Sequence, residues 1–213
     1  MTSRRRTAAA IGLALFALAG AALPALLAPA AWAEVPVLAD RWSGPGSVRP
    51  PFKKLLVVGI TRNAPARRRY EDLFVSQIRG RELQGITSYP IVPDLEHPAD
   101  RDKVLETLLA GGVDGVITAR LVSLDDRDEK EWAEAWRREV EAVVPIRAYV
   151  QDSLNSLPPE GSLYGVEFAL WGVDSGQRLW AGRSHPVKIK KIRKDANLLV
   201  QDVMTQLIFE NRL

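Results

Sequence analysis

The segment Lys54-Leu-Leu-Val-Val-Gly-Ile-Thr61 decides the fold, because its apolar residues run on continuously instead of alternating with polar ones. A continuous, β-branched run is typical of a strand that is buried on both faces, as in parallel sheets covered by helices. Asn63 and Pro65 follow at once and mark the start of a helix. The segment therefore predicts a buried strand that leads directly into a helix.

A helix completes this first unit, and a second strand, a second helix and a third strand follow it. The helix after Pro65 carries Arg67–Arg69, which we interpret as a solvated face. Its apolar residues repeat at helical spacing: Tyr70, Leu73, Phe74 and Ile78. Gly85 ends the unit, and the next elements predicted are a strand over Ile86–Val92, a helix from Pro98 to Gly111-Gly112 and a strand over Val113–Leu124. The order β-α-β-α-β with short connections predicts neighbouring, at least partly parallel strands covered by helices.

The second half of the chain has a different pattern. Residues 125–144 are densely charged but carry apolar side chains at helical spacing, which predicts an amphipathic helix. Ile146–Val150 alternates apolar and polar residues and predicts a half-exposed strand, and 157–161 predicts a loop. Leu163–Val173 and Arg178–Arg183 flank Asp174-Ser175-Gly176, a hairpin signal.

The chain ends in a predicted strand and helix. Val187–Ile192 could extend the sheet, and Ala196–Phe209 is typical of a closing helix. The residues expected to face inward from this helix are Leu198, Leu199, Val203, Leu207 and Ile208. Together these patterns predict an α/β fold: three βα-type elements, then antiparallel strands in one mixed sheet, with helices packed on it and a C-terminal helix.

The first residues have the three parts of a secretory signal peptide. Arg4–Arg6 precede an apolar run over Ala8–Ala22, and Ala31-Trp32-Ala33 supplies small residues two apart. We expect cleavage after Ala33, a periplasmic location, an extended lead-in over 34–51 and a single domain over 52–213. The alternative is an uncleaved leader that anchors the chain in the inner membrane; after cleavage, no stable membrane span is expected.

The charge balance and the absence of cysteine argue against several classes of partner and of covalent modification. The chain has 29 basic and 26 acidic residues, but the leader contains three of the arginines and no acidic residue. The rest is formally neutral, which argues against nucleic acid as a partner. The absence of cysteine excludes disulfides and a lipid anchor on a cysteine after the leader.

The chain resembles a broad group of short bacterial envelope proteins, many of them lipoproteins without an assigned activity. The resemblance rests on the strand Lys53–Ile60, the arginine-rich helix start Arg67–Phe74, the Asp-Gly strand Asp114–Val122 and the late hairpin Gly172–Trp180 with its tryptophan. In layout such proteins are similar to the N-terminal α/β domain of Tol-system propeller proteins and to domains of outer-membrane assembly factors. The resemblance implies a periplasmic binding or assembly role and transfers no catalytic residue. This chain lacks the anchoring cysteine of the lipoprotein members.

The sequence predicts no cofactor, no metal site and no catalytic constellation. His97 and His185 each stand beside a proline and far apart, and no metal-binding spacing or serine elbow occurs. Asp125 and Asp126 follow a predicted strand, where active sites often lie in α/β sheets. They either act as the acid and base of a hydrolase or cap the following helix.

Two sets of residues are candidates for binding. The turn that contains Arg62 and Asn63 could hold an anion at a helix N-terminus. A partner could contact Trp132 and Trp136, which are neighbours on one helix face; if that face covers the sheet, they are core side chains instead. A partner could also contact a basic stretch, which is otherwise an ordinary edge strand. The basic candidates are Lys188, Lys190 and Lys191. The function that this favours is an exported, non-catalytic binding or assembly module, whose partner is an envelope protein or the periplasmic face of a membrane complex.

Overall fold

The computed structural model describes residues 38–44, 52–78, 82–95, 110–124, 128–156 and 163–213, with the side chains of 189–194 outside the description. The strands in these ranges are β1 (Leu38–Ser43), β2 (Lys54–Ile60), β3 (Gln84–Thr87), β4 (Gly115–Ser123), β5 (Leu163–Gly172), β6 (Arg178–Ser184) and β7 (Val187–Lys188). The helices are α1 (Ala64–Ile78), α2 (Glu129–Glu141), α3 (Ile146–Asn155) and α4 (Ile189–Phe209). None of the helices described is long and apolar enough to cross a membrane.

The strands form one mixed sheet in the order β1-β6-β5-β4-β2-β3, and β7 pairs with β5 outside this path. β2 pairs in parallel with β3 on one side and with β4 on the other. The pairs β4–β5, β5–β6 and β1–β6 are antiparallel. The predicted α/β class, with a parallel first half, an antiparallel second half and a C-terminal helix, is confirmed.

Helices cover both faces of the sheet, which explains why β2 is apolar from Leu55 to Ile60. Successive strand residues point to opposite faces, so Leu55 and Val57 pack with α1 and α4. Leu56 and Val58 lie on the other face, which packs with α3. α2 packs on this second face as well, where Trp136 contacts Ala181. Between Leu55 and Ile60 this strand therefore has no position at which a polar side chain meets water.

Several predicted elements are confirmed close to their expected bounds. They are the strands β2, β4, β5 and β6, the helices α1 and α2, and the turn between β5 and β6. Gly176 in that turn has a φ of 63°, a left-handed conformation that favours glycine. Asp128 caps α2 by accepting a hydrogen bond of 2.7 Å from the Glu131 N–H. α2 ends at Glu141, so that Val143 lies outside it and is exposed.

The strand predicted over Ile146–Val150 is wrong, because these residues begin the helix α3. Tyr149 and Leu154 are the apolar side chains that this helix buries. Pro145 is the N-cap residue of this helix, and its carbonyl accepts the first helical hydrogen bond, 3.0 Å from the Tyr149 N–H. Ile146 and Val150 are also i and i+4 neighbours on a helix, so an alternation over only five residues does not exclude one.

The end of the chain also differs from the prediction. The strand β7 stops at Lys188, and α4 begins at Ile189 instead of Ala196. Leu199, Val203 and Leu207 are buried and Ile208 packs beside them, as expected. Leu198 is 46% exposed, so its predicted inward orientation is wrong.

Two strands differ from their expected extent. Leu38–Ser43 in the predicted lead-in forms the edge strand β1, which pairs with β6 and buries Leu38. β3 spans only Gln84–Thr87, because the chain turns at Ser88 and the Val92 N–H returns to the Ser88 carbonyl. The loop predicted over 157–161 and most of the helix predicted from Pro98 lie outside the described residues.

Candidate functional site

A pocket of about 390 Å³ lies where β2 and β4 end and α1 begins. The chain leaves β2 through α1 to reach β3 on one side, and β4 pairs with the opposite side of β2. The direction of winding therefore changes between β2 and β4. In open α/β sheets this point, outside the carboxyl ends of the strands, is where ligands bind.

The lining of the pocket is mainly apolar. The buried apolar residues that line it are Ile60, Ala119, Val166, Phe168 and Leu199. The exposed residues that line it are Asn63, Pro65, Ala66 and Arg69. One end of the pocket is thus lined by buried apolar side chains, and the other is the start of α1 at the surface.

Gly59 allows α1 to approach β2 closely beside the pocket. A Cβ atom at this position would lie 3.2 Å from Tyr70 Cδ1 and 3.3 Å from Arg67 Cγ. The Gly59 N–H donates a hydrogen bond of 3.0 Å to Glu71 Oε1. A glycine in a strand interior often marks such a close approach.

Arg67 and Glu71 form a buried ion pair on α1. They are 4% and 0% exposed, and Arg67 Nε lies 2.9 Å from Glu71 Oε1. The other guanidinium nitrogens donate to the Val92 carbonyl at 2.7 Å and to Ser88 Oγ at 2.6 Å. The predicted solvated face is therefore wrong for Arg67, while Arg68 and Arg69 are exposed. Through these hydrogen bonds, the ion pair holds α1 against the turn that follows β3.

Tyr70 contributes to the lining of the pocket, and its hydroxyl is enclosed by protein. Its ring lines the pocket and lies 5.7 Å from the Phe74 ring and 6.4 Å from the Phe168 ring, measured between centroids. The hydroxyl oxygen is buried without a hydrogen-bond partner among the described residues. Burial, followed by the charge of Glu71, raises the pKa of Tyr70 well above its ordinary value. The phenol therefore stays protonated and can donate as well as accept a hydrogen bond.

Arg120 on β4 also lines the pocket, but its charge is compensated from the other face of the sheet. Its Nε lies 2.9 Å from Glu167 Oε2, Nη1 lies 3.1 Å from Ser153 Oγ, and Nη2 binds Glu139. Burial alone would lower the pKa of Arg120, but Tyr149 and the two carboxylates hold it above its ordinary value. All three guanidinium nitrogens of Arg120 therefore form hydrogen bonds to other side chains of the protein.

Glu167 joins this network to Trp132, the first of the two tryptophans of α2. Trp132 Nε1 donates a hydrogen bond of 3.0 Å to Glu167 Oε1, and the Arg183 guanidinium lies 4.5 Å from the Trp132 ring centroid. Trp132 and Trp136 are 1% and 3% exposed. Both indoles are core side chains, so the partner surface predicted from them contains no exposed indole.

Tyr149 gives the network a measurable pH dependence. Burial is the main cause that raises its pKa from 10.0 to about 12. A raised pKa means that the tyrosine stabilises the fold fully below pH 10 and that this contribution is lost as the pH rises through 12. We expect the free energy of unfolding to fall by about 2 kcal/mol more in the wild type than in Tyr149→Phe between pH 10 and 12. Urea unfolding of both proteins at four alkaline pH values measures this; parallel pH profiles would show that Tyr149 ionises normally.

The predicted anion site is present as a turn, but its donors are largely used by the helix. Asn63 Oδ1 accepts a hydrogen bond of 2.9 Å from the Ala66 N–H, and the Asn63 N–H donates to Thr61 Oγ1 at 3.2 Å. Pro65 has no N–H to offer. Arg62 is exposed beside the turn. Anion binding by Arg62 and Asn63 stays a prediction, and the structure places Asn63 at the exposed end of the apolar pocket.

The remaining candidates are dispersed. Lys188 is exposed on β7, whereas the side chains of Lys190 and Lys191 lie outside the described residues, as do Asp125, Asp126 and His97. His185 is half exposed, and its Nδ1 lies 3.0 Å from Glu129 Oε1. The structure does not bring Lys188 or His185 to the pocket.

Comparison with known proteins gives only distant likenesses. No family model matches the chain, and no curated protein does. A solved structure of a PelC dodecamer from Paraburkholderia phytofirmans that carries a point substitution is 15% identical, covers 79% of this chain and 95% of its own, and has a TM-score of 0.42. A second PelC dodecamer structure from the same organism is 16% identical over 70% of this chain and 79% of its own, with a TM-score of 0.35. Likenesses this distant carry no information on the ligand or assembly of this chain.

Proposed function

We propose that this chain is an exported, non-catalytic binding protein of the cell envelope that holds a small, mainly apolar molecule between β2, β4 and α1. The observation that carries the proposal is the pocket of about 390 Å³ at the change of winding direction. Its volume is within the range of small-molecule sites, which are mostly apolar with few polar groups.

The nature of the lining supports binding more than catalysis or phosphate recognition. Its buried part is made mostly of aliphatic and aromatic side chains, and its two buried or half-buried arginines are paired with carboxylates. An apolar molecule gains about 25 cal/mol for each square ångström of surface that it removes from water. A ligand of this kind needs no wrapping by backbone N–H groups.

Filling the pocket should abolish binding. Ala196 on α4 lines the pocket and is half-buried, so an Ala196→Phe ring would enter the space that the ligand needs. We expect the affinity for the neutral fluorescent probe phenylnaphthylamine to fall at least about tenfold. Fluorescence titration measures the dissociation constant, because the probe becomes bright in an apolar site.

Ala135→Phe is the matched control, since Ala135 is half-buried on α2 and does not line the pocket. Its affinity for the probe should equal that of the wild type. No saturable probe binding to the wild type, or equal binding by all three proteins, would contradict the proposed site.

The location is tested separately from the ligand. The positive, apolar and small-residue parts of the leader support export with cleavage after Ala33. Cell fractionation and the mass of the purified chain distinguish a cleaved periplasmic protein from one anchored by its leader. The full-length mass in the inner-membrane fraction would contradict the cleaved form.

A further inference from the structure

We infer, on the basis of the proposed function, that the pocket takes a single-tailed anionic amphiphile. Its hydrocarbon tail lies between β2, β4 and α1, and its charged head stays beside Arg69 at the mouth, the end of the pocket at the start of α1. The pocket volume of about 390 Å³ is near the lower end of the range for small-molecule sites. A space of this size suits one hydrocarbon chain.

The inner end of the pocket, which buried apolar side chains line, can hold hydrocarbon but not a charge. The two arginines nearest to it are already neutralised. Arg67 pairs with Glu71 at 2.9 Å, and Arg120 pairs with Glu167 at 2.7 Å. An ionised head at this depth would lose its hydration without gaining a counter-ion, which is strongly unfavourable. The tail therefore occupies the inner end.

The mouth has the opposite character. Arg69 lines the pocket there and is exposed, and among the described residues no carboxylate pairs with it. None of the described residues that line the pocket is acidic. A planar guanidinium binds a carboxylate through two parallel hydrogen bonds. The mouth therefore offers a cation to a head group that remains in contact with water.

The sequence concentrates further positive charge at two helix starts next to the mouth. Residues 61–70, which lead into α1, contain four arginines and no acidic residue. Residues 185–194, which lead into α4, contain five basic residues and no acidic one, and Asp195 after them offsets one of these charges. Ala196 lines the pocket, and these basic residues precede it within about two helical turns. A positive potential at the mouth attracts an anion and repels a cation.

Three amphiphiles with tails of nearly the same length test the sign of the charge on the head. They are decanoate, neutral decanol and decyltrimethylammonium, and calorimetric titration below their micelle concentrations measures each dissociation constant. We expect the wild type to bind decanoate about tenfold more tightly than the cation at low salt. The preference should fall towards equality in about 1 M salt, where exposed charges are screened beyond about 3 Å.

Arg69→Gln should lower the preference for the anion about threefold, because it removes the charge that lines the mouth and keeps a polar side chain. Arg68→Gln is the matched control. It removes the same charge from the exposed neighbour on α1, which does not line the pocket and whose guanidinium lies 5.5 Å from the Tyr89 ring centroid. This control should leave the preference nearly unchanged.

Equal affinities for decanoate and the cation, or tighter binding of the cation, would overturn the inference. Binding of decanol alone would overturn it as well, since the whole ligand would then lie inside the pocket. An equal loss of preference in both arginine variants would assign the attraction to net charge instead of Arg69, and decanoate binding that survives in Ala196→Phe would place the amphiphile elsewhere; each result refutes the inference. The proposed function survives all of these results if phenylnaphthylamine binds and Ala196→Phe abolishes its binding, whereas no binding of the probe or of any amphiphile refutes both.

Discussion

Replacing Glu71 with alanine is expected to lower the free energy of unfolding by about 3 to 5 kcal/mol. Glu71 is fully buried, and the substitution leaves the guanidinium of Arg67, 4% exposed, without its counter-ion. The carboxylate also accepts hydrogen bonds from the Gly59 N–H at 3.0 Å and from the Ser88 N–H at 2.6 Å. The Gly59 N–H would lose this acceptor, which adds to the loss, whereas the Ser88 N–H keeps a second acceptor, the Val57 carbonyl at 3.1 Å.

Urea unfolding of the purified chain measures this prediction. Asp72→Ala is the control, because Asp72 is the exposed neighbour on the same helix and accepts one hydrogen bond, from the Tyr89 hydroxyl; we expect it to cost less than about 1 kcal/mol. Glu71→Gln keeps an acceptor oxygen but not the charge, so its cost should lie between the two. Equal stability of Glu71→Ala and Asp72→Ala would contradict the buried pair.

The parallel half of the sheet could be predicted because its signals are local. The apolar run Lys54–Ile60 and the helix start at Asn63 are each complete within a few residues, and both are confirmed. The burial of Arg67 and Glu71 could not be predicted in the same way. An arginine and a glutamate four residues apart are also typical of an exposed helix, and the partners that bury them, Ser88 and Val92, come from another segment.

Long-range pairing explains the elements that the sequence did not reveal. β1 has no continuous apolar run, and it is a strand because it pairs with β6, far along the chain. The tryptophans at 132 and 136 had two open interpretations, core or contact surface, and only the packing of α2 on the sheet decides between them.

The sequence pointed to the turn at the candidate site but not to the apolar lining of the pocket beside it. The turn with Arg62 and Asn63 was expected to bind an anion, and the structure puts this turn at the exposed end of a pocket. The apolar lining comes from segments that are remote in sequence, such as Val166 on β5 and Leu199 on α4. The sequence of one turn cannot show that apolar side chains of β4, β5 and α4 lie around it.

A methyl group at Gly165 is expected to destabilise the fold by about 3 to 4 kcal/mol. A Cβ atom at this position on β5 would lie 2.0 Å from Cη2 and 2.2 Å from Cζ2 of Trp132, far inside van der Waals contact. The indole cannot move aside freely, because it is 1% exposed and its Nε1 is hydrogen-bonded to Glu167. Relief requires α2 to shift from the sheet or the indole to lose that bond.

The clash is specific to one pair of residues, so a double-mutant cycle isolates it. Trp132→Leu removes the six-membered ring that meets the new methyl group, at the cost of a cavity and an unpaired Glu167 oxygen. If the clash is the cause, Gly165→Ala should cost much less in the Trp132→Leu background than in the wild type, measured by urea unfolding. Strict additivity of the two substitutions would mean that the glycine is needed for its backbone and not for the indole that packs against it.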